Sequence, residues 1–235
     1  KGLGKGSAYN LAGSGCICIC ANLSEDRLTE TLGLIKAEGG RAFALAMDVT
    51  KLESIEKGFA EVIKQQGQVD IVVNNAGTEI AEPLLDVTPE HYDIIMAVNH
   101  KGTFFVAQVA AKYMKERRQG KISNIGSLGS FIGLAESSVY CSSKGAVAQF
   151  TKTAAIELAP FNIQVNAIAP GYFLTKMTQP FFEDKTHREW IENRIPLGKV
   201  GTTDDLAGPL IFLAGKASDY VTGQILIVDG GWLAS

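Results

Sequence analysis

Val69-Asp70-Ile71-Val72-Val73-Asn74-Asn75-Ala76-Gly77 decides the fold. A short run dominated by β-branched side chains passes directly into two asparagines, an alanine and a glycine. Such a run predicts a strand over Val69–Val73 buried on both faces, and the small residues after it predict a sharp turn at its carboxyl end. The same pattern recurs on either side. Strands are expected at Cys16–Ala21, Arg41–Met47, Lys121–Ile125, Gln164–Ala169 and Gln224–Val228. Between them lie helix-length segments: Gly4–Gly13, Glu25–Glu38, Leu52–Gln66, Thr88 to about Arg118, Ser138–Leu158 and Thr203–Leu213. Thr88-Pro89-Glu90 reads as a helix start, with Thr88 as the N-cap. Strands alternating with helices across short connections predict an α/β fold, a mostly parallel sheet with helices on both faces. Ligands of such sheets bind beyond the carboxyl ends of the strands. Asp48, Asn74, Gly77, the Gly/Ser-rich loop after Ile125 and Pro170-Gly171 all fall there.

The bulk properties exclude several classes. The 235 residues suit one large domain over 1–235, with no linker or repeat to divide it. A net charge of −3 offers nothing to nucleic acid or to an anionic membrane. No apolar run approaches the roughly 18 residues of a membrane span, and no signal peptide is visible. Cys16, Cys18 and Cys20 alternate as on one face of a buried strand, without the spacing of a metal site. His91, His100 and His187 share no ligand spacing either. We expect no metal, a small-molecule partner and a reducing, cytoplasmic setting.

Three groups of residues carry chemistry. Gly2-Leu3-Gly4, opening a helix, suits a phosphate, because glycine allows close approach and the helix end presents free N–H groups. A GxG alone is as often a turn. Asn74–Gly77 leaves room for a flat ligand, or is simply an Asn-rich turn. Tyr140 and Lys144 stand at i and i+4 on a helix, so phenol and ammonium share one face. A nearby cation stabilises a phenolate that ordinarily forms only near pH 10. Isolated YxxxK matches are mostly structural. Here Ser127 precedes Tyr140 by 13 residues at a strand end, and Asn99 precedes Ser127 by 28 within a helical segment.

Asn99, Ser127, Tyr140 and Lys144 resemble, in order and spacing, the catalytic tetrad of the short-chain dehydrogenases/reductases. The resemblance runs along the whole chain, through Gly2-Leu3-Gly4, Asp48-Val49, Asn74–Gly77, Pro170-Gly171 with Thr175, and Asp229-Gly230-Gly231. It implies a doubly wound, Rossmann-type single domain and an NAD(P)-dependent interconversion of an alcohol and a ketone. Tyr140 is then the general acid/base. Lys144 lowers its pKa and bonds the nicotinamide ribose, Ser127 holds the substrate oxygen, and Asn99 holds a relay water. Lys1, Gly2, Leu3 and Gly4 are implied at the dinucleotide phosphates and Asn22 at the adenosine ribose. Asp48 and Val49 are implied at the adenine, Asn75 at the adenosine-side ribose region, Ala76, Gly77, Pro170 and Gly171 elsewhere along the cofactor, and Thr175 at the carboxamide.

The family's glycine motif reads TGxxxGxG after a first, central strand, and only its last part is present, with Lys1 as the final variable residue. We therefore expect that the first strand, and with it the natural N-terminus, is missing from this chain. Family members that prefer NAD carry an Asp where Asn22 stands, and many NADP users carry an Arg where Leu23 stands. The absence of a repelling carboxylate, with Lys1 near the phosphate, favours NADP(H) over NAD(H).

Residues 172–200 read as a substrate lid. Tyr172, Phe173, Phe181, Phe182 and Trp190 supply apolar surface, and Lys185, His187, Arg188 and Arg194 supply positive charge. Arg188, Arg194 and Trp190 are the substrate candidates; the alternative is a solvated amphipathic helix. Asn162–Asn166 and Trp232–Ala234 resemble the family's gluconate dehydrogenases, which implies a keto-sugar acid. A 3-ketoacyl-thioester reductase and a non-catalytic nucleotide sensor are the competing expectations. The long helices over about 90–118 and 138–158 resemble those that pair subunits in the family, so a homotetramer is expected.

Overall fold

The computed structural model describes residues 2–175 and 178–235. Lys1 and the side chain of Phe181 lie outside the described residues. Helices and strands alternate from the start. Helix α1 (Gly2–Gly13) leads to β1 (Ile17–Asn22), α2 (Thr29–Ala37) to β2 (Arg41–Ala46), and α3 (Leu52–Gln66) to β3 (Ile71–Asn74). Helices α4 (Pro89–Met96) and α5 (Thr103–Arg117) precede β4 (Gly120–Ile125), and α6 (Ser138–Leu158) precedes β5 (Ile163–Pro170). Two short helices, α7 (Gln179–Glu183) and α8 (Lys185–Arg194), and then α9 (Ala207–Ala214) come before β6 (Ile225–Val228).

All strand pairs are parallel. Strands β3-β4-β5-β6 form one sheet in that order, and β1 and β2 form another, with no pairing between β1 and β3 among the described residues. The two sheets share their helical cover. Cys18, Cys20 and Ala42 of the smaller sheet pack with Ile125 and Ile168 of the larger one under Leu11, Ile35, Leu206 and Leu210. The opposite face joins Ile55, Phe59, Val106, Ala110 and Met114 to Val72, Ile122 and Val165. The core is deep: Ile55, Met114 and Ile163 are fully buried, each worth roughly 1.5–3 kcal/mol relative to exposure. Helices on both faces of a parallel sheet make this a doubly wound, Rossmann-type fold.

Local chemistry explains the boundaries. In α3, Ile55, Phe59 and Val62 recur at the helical period, and Gly67 ends it in the left-handed region at φ 79°. The Thr88 hydroxyl accepts from His91 N–H at the start of α4. Strand β3 begins at Ile71, directly after Asp70, whose carboxylate accepts from Arg117 and Gln68 at the surface. Where the sequence predicts one helix from Thr88 to about Arg118, a π-helical turn, Ala97–Gly102, separates α4 from α5. The turn rotates Asn99 into the interior, where its side chain finds three partners. The segments expected as helices over Glu25–Glu38 and Thr203–Leu213 begin as 3₁₀ turns, Glu25–Leu28 and Thr203–Leu206.

Strand register aligns the carboxyl ends. Asn74 stands opposite Asn124, and Ile125 opposite Ile168. The Asn74 amide donates to Asn124 Oδ1 at 2.9 Å, and the Asn124 amide donates to Thr151 Oγ1 at 2.9 Å. A buried polar ladder thus ties β3, β4 and α6 together immediately below the strand ends.

Candidate active site

The cleft floor is made of small residues. Gly2 and Gly4 open α1, a helix with no acidic side chain in its first turn, so its N–H groups and positive end are available to an anion. A methyl group at Gly4 would come within 2.6 Å of Asn75 Nδ2, and one at Gly2 within 3.6 Å of Thr175 Cβ. The first turn of α1, the end of β3 and the loop after β5 therefore face each other at close quarters. Ala76 and Gly77 are exposed along the same edge. This slot, lined by backbone and by short side chains, fits an extended dinucleotide.

The other expected cofactor residues are spread around it. Asn22 is half-buried, and its Oδ1 accepts from Leu23 N–H. Asp48 Oδ1 accepts from both the backbone N–H and the hydroxyl of Thr50, which holds the carboxyl below its ordinary range. Val49 packs on Gly102. Thr175 exchanges hydrogen bonds with Thr178, whose hydroxyl donates to the Phe173 carbonyl. Pro170 is buried at the end of β5. Gly171 packs against Asp229, where a side chain would meet Asp229 Cα at 2.7 Å, so its smallness serves the contact between the β5 and β6 ends.

Four polar residues converge above β4. Ser127 follows β4, its hydroxyl accepting from Gly129 N–H at 3.1 Å. Tyr140 lies in the first turn of α6, and its phenol shares a hydrogen bond with Ser127. One turn further on, the Lys144 ammonium lies 5.7 Å from the Tyr140 ring centre and donates to the Ile125 carbonyl at 2.8 Å. Lys144 is 4% exposed and Asn99 fully buried. A side chain at Gly77 would come within 3.6 Å of both Lys144 Nζ and Asn99 Oδ1. Asn99 Oδ1 accepts from Thr78 N–H at 2.8 Å, while its amide donates to the Thr78 carbonyl at 2.9 Å and to Ser143 Oγ at 3.0 Å. It clamps the loop after β3 against α6.

The electrostatics differ from the sequence-based expectation at one point. Burial pushes the Tyr140 phenol up to about 12, against the Ser127 hydrogen bond and with Glu79 adding to the rise. Burial also brings Lys144 down to about 8, with Glu79 opposing. Desolvation is the largest cause at both groups and Glu79 acts on both, while Lys144 is not among the causes acting on Tyr140. The phenol is therefore a proton donor at neutral pH.

Glu79 was not singled out by sequence reasoning. It lies two residues beyond Gly77, half-buried, and Ser137 Oγ donates to its Oε1 at 2.5 Å. Its only sequence signal is a carboxylate placed directly after the Asn74–Gly77 motif. The opposite wall is aromatic. Tyr172 and Trp232 lie 4.8 Å apart between ring centres, Trp190 and Trp232 5.8 Å apart, and the Arg194 guanidinium sits 4.7 Å over Trp232. The Asp229 carboxylate fixes this corner by accepting from Gly231 and Leu233 N–H, both at 2.8 Å. Arg188 is not brought into the group: its guanidinium is paired with Glu192 at 2.9 Å on exposed α8. Phe173, expected on the apolar face of the lid, is instead 3% exposed in the core beside Gly201. Its bridge to Gly201 turns it inward at the root of the 172–200 segment.

Comparison with known proteins places the whole chain among relatives of one family. A family model described as enoyl-(acyl carrier protein) reductase matches residues 1–233. A 2-dehydro-3-deoxy-D-gluconate 5-dehydrogenase of Bacillus subtilis is 43% identical over 233 residues, 99% of this chain and 91% of that protein. A 5-keto-D-gluconate 5-reductase of Escherichia coli is 36% identical over 235 residues, 100% of this chain and 92% of its own. A gluconate 5-dehydrogenase from Burkholderia cenocepacia, crystallised with NADP and tartrate, superposes with a TM-score of 0.97 at 35% identity, covering 100% of this chain and 92% of that one. The chain belongs to the short-chain dehydrogenase/reductase family of nicotinamide-dependent oxidoreductases.

Proposed function

We propose that this protein interconverts a keto group and a secondary alcohol on a sugar acid, with NADP(H) preferred and Tyr140 moving the proton. The observation that carries this reading is the meeting of Tyr140 and Ser127 above the buried ammonium of Lys144. The nicotinamide, when bound, supplies or takes up the hydride. The chain's residues handle the oxygen. Tyr140, protonated at neutral pH, donates to a carbonyl oxygen as charge develops on it, and Ser127 hydrogen-bonds the same oxygen. Lys144 bonds the nicotinamide ribose and keeps positive charge beneath the phenol. Asn99 holds the loop that carries Thr78 and, through its region, a relay water.

Gly2, Leu3 and Gly4 hold the phosphates, with Asn22, Asp48 and Val49 around the adenosine and Asn75, Ala76 and Gly77 along the slot. Thr175 receives the carboxamide. Preference for NADP(H) is supported by neutral Asn22, which does not repel a 2′-phosphate, and by the NADP bound in the Burkholderia relative. Residues 172–200 act as the lid, and Arg194, backed by Trp232 and Trp190, receives the substrate carboxylate. The sugar-acid class is supported by the names of the relatives. A homotetramer is supported by apolar residues left exposed on the long helices, Tyr92, Ile94, Phe104 and Ile156. A cytoplasmic setting is supported by four free cysteines.

Oxidation of NADPH, followed spectroscopically with keto-gluconates, simple ketones and ketoacyl thioesters, tests the reading. Keto-gluconates should give the highest kcat/KM, and Tyr140→Phe should abolish turnover while NADPH still binds. Turnover of thioesters alone, or an active Tyr140→Phe variant, overturns it.

A further inference from the structure

Glu79 is a carboxylate placed in the catalytic cleft by construction. Its loop is held on both sides: Asn99 grips Thr78 through N–H and carbonyl, and Glu82 N–H donates to the Glu136 carbonyl at 2.8 Å. Between these points its Oε1 is engaged by the hydroxyl of Ser137, a buried residue immediately before α6. Among the described residues no Lys, Arg or His forms an ion pair with it. Ser137 stands three residues before Tyr140, so its hydrogen bond holds the Glu79 carboxylate at the end of α6 that carries the phenol. The charge of Glu79 acts on Tyr140, Lys144 and Tyr172. Tyr172 packs against Trp232, over which the Arg194 guanidinium lies, and Arg194 acts on Tyr172 as well.

We propose that Glu79 determines substrate specificity by accepting a hydrogen bond from a hydroxyl next to the carbon that reacts at Tyr140. This rests on the reading of the cleft as a keto/alcohol site and adds an orientation to it. An ionised carboxylate accepts only, so it selects neighbouring groups that donate. It repels a second carboxylate, so an acidic substrate enters with its carboxylate toward Arg194 and its hydroxyl-bearing reacting end toward Glu79. α-Keto acids, whose carboxylate adjoins the carbonyl, are disfavoured.

The test compares matched ketones that carry or lack a hydroxyl beside the carbonyl, each with and without a remote carboxylate. Wild type, Glu79→Gln and Glu79→Ala are assayed for kcat and KM, and ketone binding is followed by tryptophan fluorescence. The amide of Glu79→Gln keeps the shape and an acceptor for Ser137, so folding is preserved. Wild type should favour the hydroxylated member, and Glu79→Gln should reduce that preference roughly tenfold, largely through KM, because a hydrogen bond to a charged group is lost. Equal losses for both members of a pair, or a wild type without preference, overturn the role of Glu79. Selective turnover of hydroxyketones without a carboxylate upholds Glu79 while refuting the sugar-acid reading. A wild type that neither binds nor reduces any member refutes both.

Discussion

Replacing Lys144 by Met should make the protein more stable while removing its activity, and the size of the gain follows from the burial of one ammonium. Lys144 is 4% exposed, and burial lowers it from 10.5 to about 8. A group whose folded pKa lies below its unfolded one is destabilising while protonated. Between about 8 and 10.5 the unfolded chain binds the proton that the folded one has released, so the lysine's contribution to stability rises with pH across that window. At about 1.4 kcal/mol per pH unit, holding the cation at neutral pH costs about 3 kcal/mol. Methionine keeps the length of the side chain but loses the charge-assisted hydrogen bond to the Ile125 carbonyl, worth about 2 kcal/mol. The net gain near pH 7 is therefore about 1 kcal/mol. Urea unfolding at fixed protein concentration, near pH 7 and near pH 10, measures it. The buried thiols, Cys18 above all at about 12, weaken both proteins alike as pH climbs, so the informative quantity is the difference between variant and wild type. That difference should shrink toward high pH and then reverse. A difference independent of pH, or a variant less stable near pH 7, would refute the assignment of Lys144 as a desolvated cation.

Two further substitutions test the frame around it. Asn99→Ala removes the partners of Thr78 N–H, Thr78 carbonyl and Ser143 Oγ; it should cost about 2–4 kcal/mol in urea unfolding, and a loss below about 1 kcal/mol would show that the clamp is dispensable. Gly4→Ala places a methyl 2.6 Å from Asn75 Nδ2 on the slot floor; NADPH titration should show a Kd at least tenfold weaker, and an unchanged Kd would mean that the cofactor does not lie there.

Much of this fold was legible because periodicity reports burial directly. The helices at Leu52–Gln66 and Ser138–Leu158 lie where the apolar spacing puts them, and the strand ends differ from expectation by one or two residues. The tetrad was legible through the family resemblance; spacing alone offered only Tyr140 and Lys144 on one helix face, and strand register carries Ser127 to the same edge. The π turn was not legible, because nothing in Ala97–Gly102 forbids an ordinary helix; only the partners offered by Thr78 and Ser143 favour the wider turn. Arg188 and Arg194 looked alike in sequence. They part in space because Glu192 lies one turn from Arg188, while Arg194 ends α8 beside Trp232. Phe173 and Gly171 likewise belong to packing that only the β5–β6 junction creates.

The sign of the site's electrostatics was the hardest thing to read. Spacing alone pairs a phenol with an ammonium and so suggests a phenolate. In the folded chain both groups are desolvated, which pushes each toward its neutral form, the phenol up and the ammonium down. Glu79 then acts on the two in the same protonic direction, favouring the proton on the phenol and on the ammonium. Burial is the larger cause at both: Glu79 adds to the rise at Tyr140 and opposes the fall at Lys144. With its proton in place through neutral pH, the phenol is in the state that delivers a proton to a carbonyl oxygen.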